Sequence, residues 1–236
     1  MLLLAIESSA KTASAALVSD NSVLAEFSVT TGLKHSQTLM PMVDALLSCA
    51  GISKETLDGF AVAIGPGSFT GLRIGVSAVK GMADGLQKPC CPISTLEGLA
   101  MNVQQFEGIA CAVMDARCGQ VYNALFDIHN GVVQRLCQDR ALTIDDLYIE
   151  LKEKYSQKKI ILVGDGANLC YNREDKLPTV QLASPQVVMQ SAASIGLAAV
   201  SRFEEDKVSG DKLMPAYLRL SQAERNLKKQ TRREEQ

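Results

Sequence analysis

The sequence has no long apolar run and no surplus of charge of one sign. No stretch reaches the roughly 18 apolar residues that a membrane-spanning helix needs. The apolar run Leu2–Ile6 is too short for a signal peptide and lacks a basic start. The 24 basic and 26 acidic residues give a net charge of −2, which is not typical of a stand-alone nucleic-acid binder. We therefore expect a cytoplasmic protein with no membrane contact.

Side chains that commonly bind metals are few or poorly spaced. The chain has only two histidines, His35 and His129, and they lie far apart in sequence. Its seven cysteines include no C-x-x-C pair, which disfavours a cysteine metal site and indicates reduced, mostly buried thiols. The sequence therefore predicts no metal site.

The strongest local signal is the glycine-rich stretch Gly65–Gly75. The apolar segment Phe60–Ile64 before it is typical of a buried strand, and Leu72–Leu86 after it has apolar residues at helical spacing. Such a turn directs backbone N–H groups towards an anion. The stretch matches neither the P-loop nor the dinucleotide fingerprint, because Thr70 or Leu72 stands where glycine is needed. Direct phosphate binding and a tight crossover of two close backbones both remain open.

Two predicted helices carry more apolar and small-residue surface than one core requires. The first is Ser36–Ala50, and the second follows the glycine stretch. In the second, Gly71 and Gly75 are four residues apart, as are Gly81 and Gly85, so each pair lies on one face. Small residues at this spacing let another helix approach closely. Packing within this chain and contact with a partner's helix both remain open.

The order of the other elements predicts an α/β fold with mixed sheets. Two groups of three strands each begin with a strand that ends near an acid, Glu7 or Asp115, which indicates a weak internal duplication. The other predicted strands are Leu2–Ile6, Ala13–Val18, Val23–Val29, Pro89–Ile93, Ile109–Met114, Val121–Phe126, Val132–Cys137 and Ile160–Val163. The other predicted helices are Thr95–Gln105, Ile144–Lys154 and Gln186–Phe203.

The two strand-end acids have two interpretations. Glu7 and Asp115 can be a carboxylate pair for general acid–base chemistry. Alternatively, each accepts hydrogen bonds from N–H groups of the turn that follows its strand. We favour the second interpretation, since strand-end acids often serve turns.

Five segments together resemble the bacterial TsaB family, also called YeaZ. The glycine stretch Gly65–Gly75 closely resembles the hallmark of that family. The other matching segments are Leu4–Ser9, His35–Ser36 with Leu39 and Pro41, Met114–Arg117 with Gly119 and Tyr122, and Pro215–Arg219. The resemblance covers roughly residues 2–220. Glu7 stands where the family more often has Asp, which keeps the charge, and Gln37 stands where a charged residue is frequent.

The resemblance implies a ribonuclease-H-like fold of the actin-like ATPase (ASKHA) type, duplicated in two lobes. We expect an amino-terminal lobe over 1–105 and a carboxy-terminal lobe over 106–220. The remaining residues, 221–236, are expected to form a charged tail. A solvated or disordered end is the favoured interpretation of that tail, and an RNA-contacting arm is the alternative.

The resemblance also implies a function in RNA modification. The family takes part in the threonylcarbamoyl (t6A) modification of the adenosine next to the anticodon in tRNAs that read codons beginning with A. It is a non-catalytic paralogue of TsaD, which transfers the threonylcarbamoyl group. The implied partners are TsaD in a heterodimer, the ATPase TsaE in a ternary complex, a second copy of the chain when alone, and tRNA only through the complex. No catalytic residue and no cofactor is implied.

The residues themselves support the non-catalytic role. Members like TsaD carry metal-binding histidines four apart on the helix after the glycine stretch, in a segment resembling Asn-His-Leu-Glu-Gly-His. The corresponding run here is Ser94–Leu99, so Thr95 and Leu99 occupy the ligand positions. Neither side chain can replace an imidazole.

Two other functions are weaker alternatives. A weak ASKHA-type ATPase or sugar-kinase-like enzyme lacks clear phosphate loops here, although Gly164-Asp165-Gly166 weakly resembles a nucleotide-contacting turn. A protease lacks any Ser/His/Asp or zinc arrangement placed by motif. Measuring ATP turnover by the isolated chain would separate the first alternative from a scaffold.

Any partner interface is predicted on the two apolar helices, Ser36–Ala50 and Leu72–Leu86, which are expected to lie side by side in this fold. A patch shared by homodimer and heterodimer would make the two compete. The predicted interface residues are His35, Leu39, Val43, Leu46, Leu72, Gly75, Val76, Val79, Met82 and Ala83.

Overall fold

A computed structural model describes residues 1–20 and 22–219. The expected tail over 221–236 therefore lies outside the described residues, and both interpretations of it remain expectations. Within residues 1–20 and 22–219, the helices are all too short or too polar to cross a membrane.

Two sheets of similar topology form the frame. The first sheet has the strand order β3-β2-β1-β4-β5, and the second has β8-β7-β6-β10-β11 with β9 also paired to β7. The strands are β1 Leu2–Glu7, β2 Ala13–Ser19, β3 Ser22–Val29, β4 Gly59–Gly65, β5 Cys90–Ser94, β6 Gly108–Arg117, β7 Gln120–His129, β8 Val132–Arg135, β9 Arg140–Thr143, β10 Ile160–Val163 and β11 Val180–Leu182. In each sheet an antiparallel meander of three strands is extended by two parallel strands. The duplication predicted from the sequence is thus present in the topology.

Helices cover both faces of both sheets. They are α1 His35–Ala50, α2 Phe69–Leu86, α3 Thr95–Met101, α4 Ile144–Tyr155, α5 Ala167–Tyr171, α6 Ala192–Val200 and α7 Phe203–Asp206. The pair α1 and α2 packs on one face of the first sheet, and α6 packs on the other. Helix α3 covers the facing side of the second sheet, and α4 and α5 cover its far side. Each amphipathic helix buries its apolar stripe against a sheet.

The chain returns to the first lobe near its carboxyl end. Ala192 and Ile195 of α6 lie in one buried cluster with Leu3 and Ala5 of β1. Farther along, Val208 forms a β-bridge with Cys90. Residues 192–213 thus pack with the first sheet, so the expected carboxy-terminal lobe over 106–220 extends too far.

The predicted helix Gln186–Phe203 is wrong at its start, because α6 begins only at Ala192. The carbonyls before it are used by other segments: the Gly164 N–H donates to Val188 O at 2.7 Å, and the Asn102 amide donates to Met189 O at 2.6 Å. A helix would need those carbonyls for its own ladder. Ser191 then caps α6 by accepting from the Ser194 N–H.

The predicted interface is also wrong for most of its members. Eight of the ten residues are buried inside this chain: Leu39, Val43, Leu46, Leu72, Gly75, Val76, Val79 and Ala83. The remaining two, His35 and Met82, are half-buried. The most apolar stripe of a helix faces its own sheet first, and only what is left over is available to a partner.

Candidate functional site

A cleft of about 600 Å³ lies between the two lobes, where the first strand of each sheet ends. The turn after β1 contributes Ser9 and Lys11, and the carboxyl end of β6 contributes Asp115 and Arg117. Asp165, in the turn after β10, also lines the cleft. Ligands of open α/β sheets bind outside the carboxyl ends of strands, so this cleft has the position of a binding site.

The two strand-end acids make equivalent hydrogen bonds in the two lobes. Glu7 Oε1 accepts the Ser9 N–H at 2.5 Å, and Asp115 Oδ1 accepts the Arg117 N–H at 2.7 Å. The Arg117 guanidinium also lies 3.3 Å from Asp115 Oδ2. Each acid therefore accepts a backbone N–H two residues further along, in the turn after β1 for Glu7 and at the irregular end of β6 for Asp115. This agrees with the interpretation favoured from the sequence.

Two carboxyl groups at or near the cleft, those of Glu7 and Asp165, are costly to ionise. Burial, with a smaller contribution from the charge of the nearby Asp165, raises the pKa of Glu7 from its ordinary value of 4.5 to about 7. Burial also raises the pKa of Asp165, with an added effect from the charge of Asp115. The Gln190 amide donates to Asp165 Oδ1 at 3.1 Å and partly offsets this. At neutral pH, a substantial fraction of Glu7 is therefore protonated.

The glycines beside the cleft are packed against the chain itself. A Cβ on Gly67 would lie 2.5 Å from Ser9 O, and one on Gly71 would overlap Ser8 O. The Ser68 N–H donates to Ser9 O at 2.7 Å, which joins the glycine stretch to the turn after β1. These glycines permit the tight crossover of backbones that was one of the two sequence interpretations.

The turn containing Gly164-Asp165-Gly166 is filled in the same way. A Cβ on Gly164 would overlap Val113 O, and one on Gly166 would lie 2.8 Å from the Met114 carbonyl carbon. At these glycines, as at those of the first lobe, backbone atoms of this chain fill the space that a side chain would need. Each of these turns therefore lets two backbones pass closely, and Gly67 and Gly164 also line the cleft.

Helix α3 carries Thr95 and Leu99, which the sequence resemblance places at the positions of the metal-binding histidines in members like TsaD. Thr95 and Leu99 are each 1% exposed and lie in the core. Between them, Glu97 forms ion pairs with Arg135 at 3.2 Å and Arg202 at 3.0 Å. Within the described part of the chain, no cluster of His, Cys, Asp and Glu could hold a metal ion. The ion pairs of Glu97 therefore connect α3 to β8 and to the residues just after α6.

The two glycine pairs of α2 differ in their surroundings. A Cβ on Gly71 or Gly75 would overlap atoms of Ser8. In contrast, a Cβ on Gly81 or Gly85 would have no neighbour within 4 Å among the described residues. Together with the exposed Ser77, these two residues form a row at spacing i, i+4, i+8, which we call the open row: Ser77, Gly81 and Gly85.

Helix α1, which packs beside α2, also carries exposed side chains. Helices α1 and α2 contact each other, as the sequence interpretation expected. On α1, Met40 is 39% exposed and Asp44 is exposed. His35 Nε2 lies 2.7 Å from Ala10 O, which joins the start of α1 to the turn after β1. His35 thus does not cap α1, and its ring is already hydrogen-bonded within the chain.

Sequence reasoning missed a contact near the cleft mouth. The Tyr217 ring stacks on Phe69, with centroids 3.9 Å apart and planes 2° from parallel. Phe69 lines the cleft, while Tyr217 lies near the other end of the described chain. Both belong to segments that resemble the TsaB family, but nothing in a single sequence pairs them.

Comparison with known proteins agrees with these features. The sequence model of the family described as TsaD, tRNA N6-adenosine threonylcarbamoyltransferase, matches residues 29–227. The tRNA threonylcarbamoyladenosine biosynthesis protein TsaB of Bacillus subtilis (strain 168) is 34% identical, covering 95% of this chain and 96% of that protein. The protein of the same name from Escherichia coli (strain K12) is 30% identical, covering 93% and 95%. The solved structure of YeaZ from Pseudomonas aeruginosa has a TM-score of 0.79 at 25% identity, covering 92% and 99%.

These matches confirm the fold class and the family predicted from the sequence. The two mixed sheets with their helices form the duplicated two-lobe α/β fold of the ASKHA type. The identity extends over nearly the whole length of both chains, and this protein therefore belongs to the TsaB (YeaZ) family.

Proposed function

We propose that this chain is a non-catalytic activator subunit in t6A modification of tRNA in the cytoplasm. In this proposal it binds TsaD, and the pair assembles with the ATPase TsaE. The tRNA is contacted only through that complex. The chain supplies a surface and a rigid frame, and TsaD supplies the transferase chemistry.

The observation that carries the proposal is the composition of α3. Its two candidate ligand positions hold Thr95 and Leu99, and both side chains are buried among apolar residues. A hydroxyl and an isobutyl group cannot together hold a catalytic metal ion. A relative of TsaD with this helix is better suited to binding the transferase than to repeating its reaction.

The open row supports the partner contact. Glycine inside a helix destabilises it by about 1 kcal/mol relative to alanine when no tertiary contact requires it. Gly81 and Gly85 have no such contact within the described chain. Small residues at spacing i, i+4 allow a second helix to approach the backbone closely. We propose that TsaD docks here, and that a second copy of this chain occupies the same row when TsaD is absent.

The weak ATPase remains the second candidate because Asp115 and Asp165 both line the cleft between the lobes. Neither glycine stretch matches a phosphate-loop motif, which argues against it. Measuring ATP turnover by the isolated chain decides between the two candidates. Turnover at the rate of the complete complex would overturn the activator proposal.

The proposal is tested by reconstituting t6A formation from TsaD, TsaE, ATP, threonine, bicarbonate and tRNA, together with the enzyme that makes the threonylcarbamoyl donor. Gly81→Arg is expected to abolish TsaD binding and t6A formation, since a desolvated unpaired charge is worth several kcal/mol against micromolar binding. Gly81→Ala is the matched variant at the same position, and it should bind TsaD. Ile149→Arg on α4, where Ile149 is 55% exposed, places the same charge away from the open row.

Each outcome of this experiment has a clear meaning. Full t6A formation without the chain would overturn the activator role. If Gly81→Arg binds TsaD as well as Ile149→Arg does, the open row is not the docking surface. Gly81 lies in open space, so the Gly81→Arg variant is expected to fold, and circular dichroism checks this.

A further inference from the structure

The last described residues cross the mouth of the cleft. We call Pro215–Arg219 the strap. The Ala216 N–H donates to Ile64 O at 2.7 Å, near the end of β4. Glycine is required at the next position, because a Cβ on Gly65 would overlap Ala216 O and the φ of Gly65 is +129°. The strap is therefore seated directly on the first sheet.

Aromatic stacking holds the strap on the start of α2. The Tyr217 ring lies parallel to the Phe69 ring. The Arg73 side chain, one turn along the helix, donates from Nε to the Tyr217 hydroxyl at 3.0 Å. Its guanidinium carbon also lies 5.1 Å from the centre of the Phe69 ring. Stacked aromatic rings with a cation beside them form a favourable arrangement, so two residues of the first lobe hold Tyr217.

The strap then reaches the second lobe. Arg219 donates from its guanidinium to Ala116 O at 2.6 Å. Ala116 lies near the end of β6, between Asp115 and Arg117, and all three residues line the cleft. A hydrogen bond from a guanidinium to a carbonyl oxygen is charge-assisted, which makes it stronger than one between neutral groups.

Other hydrogen bonds join the lobes at a different place. Ser94 donates to Asp139 at 2.6 Å, and Arg135 donates to Glu97 at 3.2 Å. None of these four residues lines the cleft. The Asn102 amide also reaches a residue of the cleft wall, Met189, whereas the bond from Arg219 reaches the wall at the end of β6.

We propose that Arg219 is a positioning residue that sets the width of the cleft. With Ala216 and Tyr217 fixed on the first lobe, the bond to Ala116 O holds the second lobe at a defined distance. A single hydrogen bond at a half-buried site is easier to break than the packing of α3 between the sheets. Release of Arg219 therefore lets the lobes separate about α3, as in hinge opening around a cleft.

The width of the cleft can be measured with spin labels. Cys49, which is exposed near the end of α1, provides one labelling site in the first lobe. Ile149→Cys on α4 provides the second site, and Cys118→Ser removes the other exposed thiol. In this labelled background, pulsed electron paramagnetic resonance is compared for the parent, Arg219→Met, Arg219→Lys and Tyr217→Phe.

Arg219→Met is expected to shift the distance distribution to longer values and to broaden it, with little change in melting temperature. Arg219→Lys should return the distribution towards that of the parent, because an ammonium group can donate to the same carbonyl. Tyr217→Phe keeps the stack and should match the parent. Arg173→Met removes an arginine whose ion pairs lie within the second lobe, so it should also match the parent.

An unchanged distribution in folded Arg219→Met would overturn the proposal. An equal change in Arg219→Met and Arg173→Met would also overturn it, because the effect would then be a general loss of arginine. If Arg219→Met does not fold, Arg219→Gln replaces it, and the same outcomes decide. The measurement uses the chain without TsaD, and the labelled chain is diluted into unlabelled chain so that only distances within one copy are read. Its result is therefore independent of the proposed activator function.

Discussion

The two ends of α2 carry glycines at the same spacing in opposite surroundings. Gly71 and Gly75 lie against Ser8 of the first lobe, and the Ser8 hydroxyl donates to Gly71 O at 2.9 Å. Gly81 and Gly85 face open space in the described chain. At one end, glycine lets the helix approach a strand end closely. At the other end, the chain gives up helix stability without any internal contact that requires it.

The two glycine pairs have the same spacing in the sequence, but one pair is needed for packing within the chain and the other is not. Substitution at the packed end should test the fold, and substitution at the open end should test partner binding. Four changes, taken from the largest expected effect to the smallest, can break or sharpen this difference.

Gly71→Ala should be the most damaging of the four. Its Cβ would overlap Ser8 O, a backbone atom that cannot rotate away. We expect a loss of about 3 kcal/mol or more in the free energy of unfolding, as for severe overpacking. Urea unfolding measures it, and a loss below about 1 kcal/mol would show that the packed end is looser than described.

Glu7→Gln tests the buried carboxyl group of Glu7, which lies one residue before the Ser8 that contacts the packed end of α2. Burial raises the pKa of Glu7 to about 7 from 4.5, so between these values the folded state holds a proton that the unfolded state has lost. The stability that this group contributes is therefore greatest at low pH and falls as pH rises towards 7.

The neutral amide in Glu7→Gln has no proton to lose, so this fall in stability with rising pH should be absent from the variant. Relative to the parent, Glu7→Gln is expected to gain stability between pH 4.5 and 7, by at most about 3 kcal/mol, and to keep that gain at pH 8. Its side-chain oxygen can still accept the Ser9 N–H. Unfolding by urea at pH 5 and pH 8 measures the change. A difference between the two proteins that does not vary with pH would contradict the raised pKa.

Gly75→Ala should be less harmful than Gly71→Ala, because the Cβ would meet the Ser8 hydroxyl instead of backbone. We expect a loss of about 1–2 kcal/mol. The Ser8→Ala background removes that hydroxyl, so the cost of Gly75→Ala should shrink there while the cost of Gly71→Ala persists. A double-mutant cycle measures this coupling. Equal costs in both backgrounds would show that Ser8 does not set the limit.

Gly81→Ala should have the opposite sign. No described atom lies within 4 Å of the added methyl group, and alanine favours helix, so the free energy of unfolding should rise by about 0.5–1 kcal/mol. Thermal unfolding of the isolated chain measures this. A loss of stability would show that the open end also packs within the chain.

Much of the fold could be predicted from local pattern. The strands of the first sheet and the helices α1, α2 and α4 lie within a few residues of their predicted bounds. Helix α2 begins at Phe69, earlier than predicted, because Ser68 caps it by accepting the Gly71 N–H. Strands β9 and β11 were missed, since they have only four and three residues and are defined by pairing with distant strands.

The candidate site was predictable only in part. The positions of Glu7 and Asp115 followed from strand ends, and their turn hydrogen bonds followed from the chemistry of Asp and Glu. The orientation of each helix did not follow, because a helix that is apolar nearly all round does not reveal which face meets the sheet. Residues such as Val43 and Val79 were therefore assigned to an interface although they are core residues.

The return of α6 to the first sheet has a consequence for synthesis. Leu3 and Ala5 lie in a cluster completed by Ala192, Ile195 and Phe203. While the ribosome makes the second lobe, that face of the first sheet has no cover from its own helix. The nascent first lobe thus exposes apolar surface until almost the whole chain has emerged, a state that favours aggregation or chaperone binding. Contacts between segments so distant in sequence also slow folding.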